Sequence, residues 1–165
     1  MTDIDRNYRN ETQGPRAFDT IVWGGLLAGT LDALDGVVAF GFRGLNPVQV
    51  LQYIASGLLG IASFRGGLKT AGLGALLHYF IAFEVAAVYF AASLKLPALH
   101  KDPVKWGLAY GAAVYFFMNY VVLPLSAVPR MPFSFPLFLN GVIGHGVFVG
   151  VAITWFAHRS ATAKE

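Results

Sequence analysis

The sequence predicts an all-α integral membrane protein: a bundle of four transmembrane helices, with one short interfacial or re-entrant helix between the first two spans. Three observations carry this. Hydrophobic residues make up 56% of the chain and charged ones 13%, and the mean hydropathy is +0.57, a balance outside the range of ordinary soluble domains. Four apolar runs are each long enough to cross a hydrocarbon core of about 30 Å. The basic residues divide unequally between the two sides that four crossings would create.

The chain of 165 residues is read as one membrane domain over 18–158. A polar cytoplasmic tail (1–17) precedes it and a short cytoplasmic tail (159–165) follows. That length leaves no room for a separate soluble catalytic domain. The first tail carries Asp3, Asp5, Arg6, Arg9, Glu11 and Arg16, so no cleavable signal peptide is expected and the first apolar run acts as a retained signal anchor. The spans are expected at 19–42, 68–94, 104–125 and 136–157. Asp19 or Thr20 is expected to cap the first. Asp102 before Pro103 marks the start of the third, with an N-cap followed by proline at the first helical position, and Pro124 and Pro129 mark its end.

Residues 44–64 carry no charge and raise the question of a fifth span. With four spans, Arg6, Arg9, Arg16, Lys95, Lys101, Lys105, Arg159 and Lys164 fall on one side, against Arg43, Arg65, Lys69 and Arg130 on the other. With five spans the same residues divide six against six, and the positive-inside bias vanishes. Four spans are therefore preferred, in a bacterial inner membrane with both termini cytoplasmic. Trp23, Trp106 and Trp155 then all lie near the cytoplasmic helix ends, as an aromatic belt would. Asn46-Pro47 opens a helix over 47–64, on which Gln49, Gln52, Ser56 and Ser63 form a thin polar stripe. It is expected in, or dipping into, the outer interface. The alternative is a fifth crossing helix with that stripe packed inward.

Titratable side chains inside spans are costly, about 2.5 to 3.5 kcal/mol for an acid at a helix centre. This chain places Asp32 and Asp35 on the first span, His78 and Glu84 on the second and His145 on the fourth, with Tyr115 and Asn119 on the third. Counted from the outer helix ends, all but Glu84 lie in one layer roughly 9 to 15 Å deep. Helical spacing aligns Asp32 and Asp35 with Gly25, Ala28, Gly29 and Gly36; Tyr115 and Asn119 with Gly111; and His145 with Gly141. Small residues mark surfaces where helices approach closely in lipid, so these stripes are expected to face inward. Glu84 sits about 120° round from His78 and is assigned a second polar contact or an oligomer surface. The layer holds no lysine or arginine, so its carboxylates are compensated only by imidazolium, by protons of their own or by a bound cation.

One functional reading is transport or conduction of a proton, a cation or a small solute. Asp32, Asp35, His78, Tyr115, Asn119 and His145 would form the relay or binding groups, and Asp32, Asp35, His78 and His145 would be candidate ligands for a transition-metal cation. A second is a b-type haem protein with His78 and His145 as axial ligands. A third is an accessory or assembly subunit, in which the layer is structural glue worth about 0.6 to 2 kcal/mol per contact. Enzymatic chemistry has little support, because no nucleophile elbow, H-E-x-x-H motif or phosphate loop is present. Without cysteine, thiolate metal sites, disulfides and thiol catalysis are excluded. Gly25–Gly29, Gly107–Gly111 and Gly146–Gly150 have the G-x-x-x-G spacing of close helix packing. Scattered basic residues give no nucleic-acid patch. The expected partners are the lipid bilayer and a homo-oligomer or larger membrane complex.

The run His78-Tyr79-Phe80-Ile81, the segment Leu123-Pro124-Leu125 followed by Pro129 and Pro132, Gly144-His145 in the last span, and the Gly25-x-x-Ala28-Gly29 start of the first resemble the YagU-like family of bacterial inner-membrane proteins over about 100 residues. The loop between the first two helices is shorter and more hydrophobic here. The resemblance implies an inner-membrane location, brings no molecular function with it, and singles out His78 and His145 as meaningful positions.

Overall fold

The structure, a computed structural model, describes residues 15–162, apart from the His100 side chain. Asp3, Asp5, Arg6, Arg9, Glu11 and Lys164 lie outside the described residues, and so does most of the expected N-terminal tail. Among the described residues the chain is mostly helical, without strands. Five helices are long and apolar enough to cross a membrane: α1 Asp19–Gly41, α2 Pro47–Arg65, α3 Gly67–Lys95, α4 Pro103–Leu125 and α5 Phe135–Thr162. Their outer surfaces carry large apolar side chains such as Leu34, Phe42, Leu76, Phe80 and Phe117. Helices that are apolar all round, with exposed patches this extensive, suggest a membrane-spanning protein.

Local sequence explains most of the ends. Asp102 accepts a hydrogen bond from the Lys105 N–H at 3.0 Å, with Pro103 at the first helical position. Asn46 and Gln49 exchange reciprocal side-chain-to-backbone bonds ahead of Pro47, a capping box that fixes the start of α2. The expected cap at Asp19 or Thr20 is not formed. The Thr20 N–H already bonds the Arg16 carbonyl at 3.1 Å, so helical turns begin upstream and both residues fall inside the first turn. The last helix continues to Thr162, past the expected end at 157. Three helices contain π-helical stretches, at Asp19–Gly24, Met118–Val122 and His145–Val151.

Contacts between glycines and their neighbours set the register. A Cβ on Gly25 would meet Phe83, and one on Gly29 would meet Tyr79 and Ala82, so α1 and α3 run antiparallel. Gly24 lies on Ile153, while Asp35 meets Asn140, which sets α1 antiparallel to α5. Gly107 and Gly111 interlock with Gly150, Val151 and His145 so closely that a Cβ on either would land on backbone. The Thr154 hydroxyl donates to the Pro103 carbonyl at 2.6 Å, and α4 and α5 are therefore also antiparallel. All three G-x-x-x-G pairs thus lie in helix interfaces, as their spacing predicts.

Extending these registers places the end of α1, the start of α3, the end of α4 and the start of α5 at one end of the bundle. Helix α2 both begins and finishes at that end. It follows α1 through a turn at Gly44 (φ +86°) and enters α3 through Gly67 (φ +57°). Its α-helical part, Pro47–Leu59, is about 20 Å long at 1.5 Å per residue. The Gln52 side chain donates to the Gly67 carbonyl at 3.0 Å, and Gly74 of α3 lies against the backbone of Leu51 and Ala55. On the stripe, Gln52, Ser56 and Ser63 are buried against the protein, while Gln49 is exposed and serves as the cap. The half of the bundle away from α2 is the packed core: Ala28, Ala86, Ile153 and Ala157 have no exposed surface, and the Tyr89 hydroxyl donates to the Leu99 carbonyl at 2.6 Å.

Candidate functional site

The other half of the bundle holds an open cavity of about 810 Å³, bordered by all five helices and by the non-helical segment 126–134. Asp32, Asp35, His78, Tyr115, Asn119 and His145 all line it. The layer read from helical spacing is thus one wall system, with the packed core beneath it.

Helix α1 brings Asp32 and Asp35 to the cavity one turn apart, above the small face Gly25, Ala28 and Gly29 that seats α1 on α3. The Asp32 Oδ1 stands 3.5 Å from Nδ1 of His145, and each side chain is 22% exposed. That separation is an ion-pair distance rather than a hydrogen bond, and His145 Nδ1 is a buried atom without a hydrogen-bond partner. The Asn140 side-chain amide donates to Asp35 Oδ2 at 2.8 Å. Gly144, on the same face of α5 as Asn140, leaves the room that Asp35 occupies, since a Cβ there would meet Oδ2 at 2.7 Å. His78 Nε2 is 2.7 Å from the carbonyl oxygen of Gly29. Tyr115 lies edge-on to His145, with ring centroids 5.4 Å apart, and its ring fills the space left by Gly141. Asn119 donates to the Tyr115 carbonyl at 2.9 Å. Both Asn119 and His145 sit on π-helical stretches, local widenings of a helix that often occur at functional sites.

Glu84 is exposed on the outer surface of α3, in the same row as the exposed Phe80 and Val88, so it stands apart from the cavity. Asn140 was not singled out from the sequence. Its signal was an amide inside the last apolar span, which helical spacing alone does not assign to a partner. Arg130 was counted only as a topology anchor, yet it lines the cavity from the segment 126–134.

The arrangement also bears on the candidate cofactors. Among the described residues, no three His, Cys, Asp or Glu side chains gather as a group able to hold a metal ion. The set Asp32, Asp35, His78 and His145 is divided instead: Asp32 faces His145, Asp35 faces Asn140, and His78 faces the backbone of α1. For a bis-histidyl haem, both imidazoles would have to present a nitrogen to a common iron. Nε2 of His78 and Nδ1 of His145 are both directed at α1. In comparisons with family models, curated proteins and solved structures, the chain finds no match.

Proposed function

We propose that the protein is a multi-pass inner-membrane protein of four crossings, α1, α3, α4 and α5, that binds a small solute in the cavity of its outer half and transports it. Helix α2 is then a re-entrant or interfacial element, because it begins and finishes at one end of the bundle. The eight-to-four division of basic residues and the three tryptophans at the opposite end support cytoplasmic termini. Kinship with the YagU-like family is part of the same proposal and rests on the motifs quoted above.

The observation that carries the reading is the convergence of six polar side chains from four helices on one cavity. Ligand sites are concave, mostly apolar, and about 300 to 1,000 Å³ in volume, with a few polar groups that fix orientation. The packed core below the cavity makes one-sided binding a better description than an open conduit, so passage requires a second conformation. Gly36 supplies the test, because it borders the cavity and a Cβ there meets nothing within 4 Å. Gly36→Phe should obstruct the cavity without disturbing helix packing. Proteoliposomes loaded with wild-type protein should accumulate a subset of a mixed pool of isotopically labelled bacterial solutes, and the equally stable Gly36→Phe variant should not. Uptake no greater than in empty liposomes would remove the transport reading.

A second reading, a structural polar core in an accessory subunit, is favoured by the inter-helix bonds of Asp35 to Asn140 and His78 to Gly29. It predicts that Asp35→Asn and His78→Ala lower stability and leave uptake per folded protein unchanged.

A further inference from the structure

The charge inside the cavity is unbalanced in a way that defines a ligand class, on the reading that the cavity binds a solute. Among the described residues the polar partner of Asp32 is His145, and that of Asp35 is the neutral Asn140. Arg130, the one lysine or arginine among the described residues that borders the cavity, lies on the segment 126–134 rather than on a helix of the polar layer. Two carboxylates a turn apart in a partly desolvated site need positive charge or hydrogen-bond donors from somewhere. A partner is also lacking at the buried Nδ1 of His145, 3.5 Å from Asp32. With the imidazole neutral and its proton on Nε2, a bridging donor would satisfy both groups.

The rest of the wall is apolar and aromatic. Phe40 and Tyr53 pair on one side, with centroids 5.6 Å apart, and Tyr115 and Phe138 on another, 5.9 Å apart, and all four rings border the cavity. Aromatic faces attract cations within about 6 Å, most strongly where water is excluded. The divided carboxylates make a poor cage for a bare metal ion, which needs several ligands converging on one point. The volume is that of an organic molecule rather than an inorganic ion.

We infer that the cavity takes an organic ammonium ion, its cationic group at Asp32 and Asp35 and its apolar or aromatic body between the ring pairs. The ammonium donates one N–H to Asp32 and another to the unprotonated Nδ1 of a neutral His145, and Asn140 holds Asp35 in place for a second contact.

Three matched probes separate charge from shape: 4-phenylbutylamine, 4-phenylbutanol and 4-phenylbutyrate, titrated by calorimetry into the full chain in nanodiscs, with empty nanodiscs subtracted. The amine should bind at least about ten-fold tighter than the alcohol, and the carboxylate weakest of the three. Asp32→Asn and Asp35→Asn should each weaken amine binding by about ten-fold or more and leave alcohol binding unchanged, while Glu84→Gln should alter neither. The wild-type comparison stands even if an aspartate variant fails to fold. Equal binding of amine and alcohol, both lost in Gly36→Phe, would overturn the ammonium assignment and leave the solute cavity standing. Preference for the carboxylate would overturn it as well. Absence of binding by all three would refute the ammonium assignment, and the labelled-solute uptake experiment would then decide the cavity reading separately.

Discussion

At the scale of single residues, polar groups on the long helices fall into two kinds. Some close inter-helix bonds: Tyr110 donates to the Val85 carbonyl at 2.7 Å, Asn140 to Asp35, and His78 sits on Gly29. Others keep unused capacity toward the cavity, above all Asp32 and the Nδ1 of His145. The first kind should act as glue. Asn140→Ala is expected to cost about 0.6 to 2 kcal/mol, and a double-mutant cycle with Asp35→Ala should show coupling of that order, read by denaturation in detergent. Additive effects would mean the bond contributes nothing. The second kind should be nearly silent in stability: Asp32→Asn is expected to change it by less than about 0.5 kcal/mol, because its contact with His145 is a 3.5 Å, partly exposed pair without a hydrogen bond. A large loss of stability in Asp32→Asn would make Asp32 a packing residue. Six of the seven polar residues picked from the sequence line the cavity. The reason is physical: helical spacing relative to small residues reports facing, and depth follows from counting turns. Glu84, off that spacing, is on the outside. Spacing within one helix does not specify which residue of another helix it meets, so the division into an Asp32–His145 pair and an Asp35–Asn140 pair was not legible.

At the scale of helices, two interfaces carry contrasting predictions. Gly107 and Gly111 of α4 mesh with α5 where any Cβ would strike backbone, whereas Gly72 of α3 has open space around it. Gly111→Leu is therefore expected to cost 3 kcal/mol or about that, as a severe overpacking, and Gly72→Leu close to nothing, as judged by thermal unfolding. Similar losses at both positions would show that the α4–α5 interlock is not a determinant of stability. Helix α2 is the element the sequence left open between interface and crossing. Hydropathy cannot decide, since 19 residues with a mean hydropathy of 1.3 satisfy either reading. The feature that favours the proposed re-entrant reading is tertiary: α1 and α3 are antiparallel, and α2 joins ends that lie together. Its Gln52 and Ser56 are buried against the protein, the inward packing that the alternative of a fifth crossing helix expects, while Gln49 is exposed. The non-helical segment 126–134 was read only as a connection. Its Ala127 N–H bonds the Gly57 carbonyl at 2.9 Å, tying the segment to α2 as a wall of the cavity. No local pattern encodes that long-range pairing.

At the scale of the whole molecule, one half is a tight core of small residues and the other a cavity ringed by α2 and the segment 126–134. This asymmetry follows from where the glycines and alanines are placed. Ala28, Ala86, Ala152 and Ala157 let the helices close at one end, while Asp32, Asp35, Tyr115 and His145 line the cavity at the other. Composition and the long apolar runs made the helical, membrane-type architecture legible from the sequence. They did not reveal that the polar layer surrounds open volume, because cavity volume depends on crossing angles and on the path of the intervening segments. Topology and access can be measured together, since a chain without cysteine takes single reporters cleanly. The decisive measurement is the reaction of a Gly36→Cys variant with a charged, membrane-impermeant maleimide in sealed vesicles of each orientation. A one-sided outer cavity predicts rapid labelling from the face that carries Arg43, Arg65, Lys69 and Arg130, slowed by Asp35→Asn only if the fold is lost, and no labelling from the opposite face. Labelling from the tryptophan-bearing face, or from neither face in folded protein, would contradict it.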